Sequence, residues 1–330
     1  MTVDVIIIGA GPVGIAAAIA AQDHGLSFVV LEKAALVNSL LHYPTDMIFF
    51  TTPDLMEMGG LPFVSPHEKP TRQEALKYYR RVVDTRAIPI QFDEPATSLV
   101  RGADGIFHVG SQPLNGAAVT RTARAVVVAS GAYDFPNRLG IPGEDLAHVS
   151  HFYREPHAHY RRRVVIVGGK NSAAEAALDL YRNGAASVTL VHRHAELGDS
   201  IKYWVKPDIE NRITEGSVAA RFNTRLVEIT PTDVVTDGPA GRESLPADFV
   251  YLLTGYRSDT SLLKSVGAAI EESEGAPVLN PVNFETTVPS LFVIGAAVAG
   301  KQSGKIFIEN GRFHGAVAIR AIAERSNSSS

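Results

Sequence analysis

The 330-residue chain predicts an α/β protein of two Rossmann-like dinucleotide-binding domains, each a three-layer ββα arrangement, the second inserted into a discontinuous first. Two glycine-rich turns, each between an aliphatic run and a helical run, carry this prediction, and the complete absence of cysteine constrains the chemistry. The first turn, Gly9-Ala10-Gly11-Pro12-Val13-Gly14, follows the aliphatic run 3–8 and opens an alanine-rich helix reaching about His24. Eighteen residues past Gly14, at the end of Phe28-Val29-Val30-Leu31, stands Glu32, followed by Lys33. Strand, tight turn, helix, second strand and acid in register make the full dinucleotide fingerprint.

Each part has a physical task. Gly9 permits the sharp turn, Gly11 lets the backbone approach a pyrophosphate, and Gly14 lets the helix pack closely on its strand. The helix start, with Pro12 and Val13 in its first turn, presents N–H groups and a partial positive charge to the phosphates. Glu32 accepts hydrogen bonds from ribose hydroxyls and disfavours a 2′-phosphate.

The second turn departs from the pattern. The run 163–167 leads into Gly168-Gly169-Lys170-Asn171-Ser172-Ala173, then a helical pattern to about Asn183 and a strand 187–191. Gly168 fills the turn position and Ala173 the packing position, while Lys170 stands where the second glycine is expected. Twenty residues past Ala173 the acid is replaced by Arg193, flanked by His192 and His194. A cation at that strand end suits a ribose carrying a 2′-phosphate. An acid-terminated site and an arginine-terminated site in one chain imply two nucleotides, FAD in the first and NADPH in the second, with flavin taking hydride from nicotinamide.

Length fits two domains. The expected division is 1–131 with 254–330 for FAD and 132–253 for NADPH. Runs at 97–101, 105–110 and 116–120 predict a small antiparallel meander in the first domain, and runs at 224–229 and 233–236 predict one in the second. The strand 125–131 ends in Ser130-Gly131, where the chain passes close to the flavin; 249–255 ends in Thr254-Gly255, and these paired exits form an expected two-stranded hinge. The run Leu291-Phe292-Val293-Ile294 ends in Gly295 and precedes a last helix. A net charge of −4 offers no basic patch for nucleic acid and no polybasic membrane anchor. No apolar run approaches a membrane span and no secretory signal is recognisable, so a cytoplasmic protein is expected. The polar tail 326–330 is expected to be disordered.

Several longer stretches resemble the thioredoxin-reductase-like two-dinucleotide flavoproteins, and more narrowly the bacillithiol disulfide reductase family. They are Asn38-Ser39-Leu40-Leu41-His42-Tyr43-Pro44-Thr45, Phe49-Phe50-Thr51-Thr52, Leu61-Pro62-Phe63, the second turn, Ser200-Ile201-Lys202-Tyr203-Trp204, and Ile306-Phe307-Ile308-Glu309-Asn310-Gly311-Arg312-Phe313-His314-Gly315. The resemblance implies FAD, NADPH, a homodimer, and reduction of a small-molecule disulfide or a related electron acceptor. It also implies that Asn38, Ser39, His42, Tyr43 and Thr45 lie at the flavin. The superfamily's usual acid after Gly295 is Ala296 here, which leaves backbone N–H groups and Lys305 or Ile306 to hold the flavin. Relatives often carry cysteine where this chain has Val13, so any thiol relay must lie outside the chain.

Lys202 and Trp204 are candidates for a nicotinamide or substrate edge. His148, His151, His157 and His159 lack the spacing and companions of a metal site. Glu309 and His314, five apart on a helix, fall on different faces and do not read as an acid–base pair. Two alternatives stay open. One is a flavin monooxygenase, whose signature resembles the stretch from Ile141 to Arg154; the other is a non-turnover FAD-binding redox sensor.

Overall fold

The structure, a computed structural model, describes residues 1–328. It divides into two compact units: Met1–His42, Met47–Phe135 and Tyr256–Ser330 form one, and Tyr43–Asp46 with Pro136–Gly255 form the other. The chain therefore passes between units at His42/Tyr43, Asp46/Met47, Phe135/Pro136 and Gly255/Tyr256. Gly131 lies inside the first unit, short of the crossing at Phe135/Pro136, while Gly255 stands at the last crossing with a φ of +91°.

In the first unit β1 (Val3–Ile8) is the central strand, parallel to β2 (Phe28–Leu31) on one side and to a long strand on the other. Helix α1 (Pro12–Asp23) follows β1 and α2 (Arg72–Arg86) precedes the short edge strand β3 (Ile90–Gln91). β1 is nearly all aliphatic because helix and meander cover both its faces; Ile6 and Ile7 are fully buried. The meander consists of β4 (Ala96–Arg101), β5 (Phe107–Ser111) and the first half of β6 (Val119–Val128). The strand Leu291–Val293 closes the parallel sheet on the far side of β6.

The separate runs expected at 116–120 and 125–131 are thus one ten-residue strand. Its first half alternates, since only one face is covered where it pairs with β5; its second half turns uniformly apolar on entering the parallel sheet. No Gly or Pro interrupts it, so a change of period marks a change of layer rather than an end. Helix α2 went unread although Thr71 and Glu74 form a capping box: the Glu74 N–H donates to Thr71 Oγ1 at 3.3 Å, and the Thr71 N–H to Glu74 Oε2 at 2.8 Å.

In the second unit β7 (Val149–Ser150), β8 (Arg163–Val167), β9 (Ser187–Val191) and β10 (Ala219–Arg221) join a later strand in a parallel sheet. Helix α3 (Asn171–Arg182) links β8 to β9, and α4 (Lys206–Thr214) leads to β10. A separate antiparallel sheet follows, β11 (Arg225–Ile229), β12 (Asp233–Gly238) and β13 (Gly241–Pro246), before β14 (Phe249–Leu252) returns beside β8. The order is β10-β9-β8-β14-β7. One face of this sheet, with Val164, Ile166, Val188 and Leu190, packs with Ala173, Ala177 and Ile209 of the helices. The other, with Val165, Val191, Val250 and Leu252, packs on Leu226, Ile229 and Val234 of the meander. Meander, sheet and helices make three layers. β13 escaped the sequence because Gly-Arg-Glu-Ser-Leu-Pro is almost wholly exposed and lacks apolar alternation.

The last helix runs His314–Ser328, so helix replaces the disorder expected from 326; Ser329 and Ser330 lie outside the described residues, as does the side chain of Lys305. Among the described residues no helix is long and apolar enough to cross a membrane.

Candidate functional site

The three glycines of the first turn do different things. The Gly9 N–H donates to the Leu31 carbonyl at 2.8 Å, and a Cβ on Gly9 would lie 2.6 Å from the Ala129 oxygen. A Cβ on Gly14 would lie 1.9 Å from the Gly9 oxygen, so strand and helix meet there without room for a side chain. A Cβ on Gly11 would meet nothing within 4 Å. The turn is therefore closed on its protein side and open at Gly11, the cradle a pyrophosphate requires. Pro12 occupies the first helical position, where a missing N–H costs nothing.

Glu32 is 5% exposed. Its Oε2 accepts from the Ala10 N–H at 2.7 Å and its Oε1 from the Ala34 N–H at 3.1 Å, so the acid braces the turn while keeping lone pairs for a ribose. Burial raises its pKa, against those two N–H bonds and the nearby Lys33. Lys33 itself is paired with Asp134 at 2.7 Å. Asn38 and Ser39 begin a helical turn that Val37 ties to the first fingerprint, its N–H donating to the Ala10 carbonyl at 3.1 Å. His42 ends that turn, its carbonyl accepting from the Tyr133 hydroxyl at 3.2 Å. Tyr43 and Thr45, expected beside these, group with the second unit instead: the Thr45 N–H donates to the Arg154 carbonyl at 2.9 Å. Ser130 is exposed and Gly131 takes a φ of +72°.

Gly295 closes the same region. A Cβ on it would lie 3.1 Å from Val13 Cβ, and one on Gly311 3.2 Å from both Val13 Cγ2 and Ile306 Cγ2. Val13 thus lies against Gly295 and Gly311, with Ile306 also against Gly311, an apolar niche where relatives were expected to hold a thiol. One partner was missed from the sequence. The Gly295 N–H donates to His314 Nδ1 at 3.3 Å, and the His314 ring stacks on Phe284 at 4.2 Å and 19°. Burial lowers the His314 pKa, which keeps Nδ1 available as an acceptor.

In the second turn the Gly168 N–H donates to the Val191 carbonyl at 3.1 Å, and a Cβ on Gly168 would lie 2.7 Å from the Leu253 oxygen and 2.9 Å from Ala173 Cβ. Lys170 is the N-cap of α3 in extended backbone and is exposed, as is Ser172. Asn171 fastens the next loop to the turn: its Nδ2 donates to the Ser200 carbonyl and its Oδ1 accepts from the Lys202 N–H, both at 2.8 Å. The Gly198 N–H donates to the Gly169 carbonyl at 2.8 Å. The Lys202 ammonium pairs with Glu175 and lies 5.7 Å from the centre of the Trp204 ring.

The two turns share one backbone wiring. Gly9 reaches Leu31 as Gly168 reaches Val191, which sets Glu32 against His192. The Glu32 N–H donates to Gln91 and the His192 N–H to Arg221, each at 2.9 Å; Glu32 accepts from the Glu94 N–H and His192 from the Thr224 N–H. The structural counterpart of the acid is therefore His192, and Arg193 matches Lys33. This corrects the register read from spacing by one residue. The His192 ring lies against Gly169, where an added Cβ would be 2.2 Å from Cε1. Its pKa is lowered by burial, then by His194 and Arg193. Arg193 Nε donates to His194 Nε2 at 3.2 Å, and the two imidazoles are 5.2 Å apart. Unit one thus ends its second strand in a carboxylate and unit two in a neutral ring followed by a guanidinium.

Of the remaining histidines, His151 Nε2 lies 3.4 Å from Glu144 and His159 Nε2 2.7 Å from the Tyr251 hydroxyl, while His157 is exposed.

Residues 6–295 match the family model described as pyridine nucleotide-disulphide oxidoreductase. Bacilliredoxin reductase Bdr of Bacillus subtilis (strain 168) is 37% identical over 323 residues, 98% of each chain. The solved bacillithiol disulfide reductase Bdr (YpdA) from Bacillus cereus superposes with a TM-score of 0.96 at 37% identity, covering 98% of this chain and 100% of that one. Its counterpart from Staphylococcus aureus gives 0.92 at 33% identity, over 98% and 99%. The chain thus belongs to the pyridine nucleotide-disulphide oxidoreductase family, as an NAD(P)H-dependent flavoprotein oxidoreductase of the thioredoxin-reductase-like type.

Proposed function

We propose that this protein is an NADPH-dependent reductase of a low-molecular-weight disulfide of the bacillithiol-disulfide kind, with FAD in the first unit and NADPH in the second. The observation that carries the cofactor assignment is the shared wiring with opposite chemistry at one position, Glu32 against His192 and Arg193. A buried carboxylate accepts from ribose hydroxyls and repels a 2′-phosphate; a neutral imidazole with an arginine behind it tolerates and attracts one. The two solved relatives from Bacillus cereus and Staphylococcus aureus, both bacillithiol disulfide reductases, support the disulfide.

Within the first unit Gly9, Gly11, Pro12, Val13 and Gly14 cradle the pyrophosphate, Glu32 holds the ribose, and Asn38, Ser39 and His42 line the approach to the ring with Gly295 and Ile306. In the second, Gly168, Gly169, Lys170, Asn171, Ser172 and Ala173 form the phosphate turn, with His192, Arg193, His194 and Lys202 around the nucleotide. Bound FAD supplies the chemistry of accepting a hydride and passing on two electrons. With no cysteine in the chain, the sulfur–sulfur bond that breaks belongs to the acceptor alone. NADPH, one proton and one disulfide give NADP⁺ and two thiols, which balances. A homodimer in the cytoplasm belongs to the same reading.

The test is a panel of bacillithiol disulfide, glutathione disulfide, a quinone and oxygen, offered to the NADPH-reduced protein. Fast turnover with bacillithiol disulfide supports the proposal; turnover with oxygen or quinone alone defeats it. Arg193→Ala is expected to raise KM for NADPH and leave KM for NADH unchanged; equal rises remove the 2′-phosphate assignment.

A further inference from the structure

Beside the His192–His194 corner is a cavity of about 300 Å³ that none of the sequence motifs touches. Arg221, Phe222 and Thr224 line one side; Glu243 and the turn from Gly238 to Gly241 line the other. Arg221 ends β10 and pairs with Val191 across the parallel ladder, one residue before His192. Neighbouring strands lie ~4.8 Å apart and ladder partners point to the same face. Arg221 therefore shares the face of Val191, which packs on the meander, and its carbonyl receives the His192 N–H. Gly241, with a φ of +90° and no atom within 4 Å of an added Cβ, keeps that side of the cavity open.

Arg221 is weakly engaged. Its Nε lies 3.6 Å from Glu243 Oε2, too long for a hydrogen bond, its Nη1 donates to the Ala220 carbonyl at a long 3.4 Å, and both side chains are more than two-fifths exposed. Exposed pairs of this kind hold an arginine loosely. The corner itself offers the phosphate the guanidinium of Arg193, whose Nε donates to His194 Nε2 at 3.2 Å, while burial keeps His192 neutral. The acid facing Arg221 is Glu243; Asp199 is occupied by Lys206.

We propose that Arg221 is the second cation of the 2′-phosphate subsite, exchanging Glu243 for the phosphate and closing on it from the neighbouring strand opposite Arg193. This rests on the NADPH reading and adds a specificity-determining residue to it.

Calorimetric titration of the purified flavoprotein with 2′,5′-ADP and with 5′-ADP tests the exchange without turnover. Arg221→Ala is expected to weaken 2′,5′-ADP about 10- to 100-fold, the range for a lost charge-assisted hydrogen bond, and to leave 5′-ADP unchanged. Arg221→Lys is expected to recover part of the loss, and Glu243→Gln to bind 2′,5′-ADP more tightly than the parent by freeing the guanidinium. Unchanged melting temperatures establish that the variants fold. The inference is overturned if Arg221→Ala weakens neither ligand, or both equally, while Arg193→Ala still removes the preference. If the parent protein itself does not distinguish the two ligands, the NADPH reading fails first and this inference goes with it.

Discussion

Replacing Gly11 by alanine separates folding from cofactor binding. Gly11 is the N-cap of α1 with φ −71° and ψ 173°, ordinary extended backbone that alanine adopts freely. An added Cβ has no neighbour within 4 Å. Removing glycine from the unfolded chain gains about 0.4–1 kcal/mol. Alanine is a poorer N-cap than glycine by a similar amount. The two offset, so the flavin-free protein is expected to melt within a few degrees of the parent. The methyl group nevertheless stands in the open mouth of the turn, where phosphate oxygens must come within hydrogen-bond distance of backbone N–H groups. Loss of one or two charge-assisted bonds at about 1.5–3 kcal/mol each weakens FAD by roughly 10- to 10⁴-fold. Gly14→Ala is the contrast: its Cβ would sit 1.9 Å from the Gly9 oxygen, so that variant is expected to lose stability before binding is in question. The assay pairs a thermal melt of the flavin-free proteins with an FAD titration followed by flavin fluorescence. A Gly11→Ala protein that folds and binds FAD with the parent's affinity refutes the assignment of this turn.

Acidification is expected to destabilise the fold below about pH 6.5, the ordinary histidine pKa. Burial lowers the pKa of His151, His159, His192 and His314, so across that window the unfolded chain takes up protons that the folded chain does not, and stability falls as pH falls. A melting temperature that declines from pH 7.5 to 5.5, and declines less in His159→Gln, is the expected result; a rise on acidification contradicts it. His314→Leu removes the acceptor for the Gly295 N–H, costs about 1–3 kcal/mol, and is expected to lower the FAD retained through gel filtration. His314→Asn, which can place an oxygen near the position of Nδ1, should restore retention; equal loss in both variants would assign His314 to packing alone.

The central parallel strands were legible because burial on both faces demands uninterrupted aliphatic runs, whereas the short parallel strands at 90–91, 149–150 and 219–221 carry no such run and went unread. What failed were features set by geometry between segments. His192 rather than Arg193 matches Glu32 because the distance from packing residue to strand end is eighteen residues after Gly14 but nineteen after Ala173. Spacing alone carries no record of the one-residue difference. The Gly295–His314 bond spans an irregular segment kinked at Gly300, which has no period to read. Tyr43 and Thr45 lie within three residues of His42, yet both group with the other unit, where the Thr45 N–H donates to the Arg154 carbonyl. β13 is polar and exposed, so its ladder with β12 leaves no apolar trace.

The carboxylate of Glu32 is also a strut, since both its oxygens hold backbone amides. His192 has no such second duty; its ring rests on Gly169 from outside. The two receptacles therefore differ in how freely they can drift. Exchange at position 32 disturbs the loop itself, whereas exchange at position 192 alters only what the loop greets. Preference for one pyridine nucleotide over the other is the more malleable trait of this polypeptide, and flavin occupancy the more entrenched.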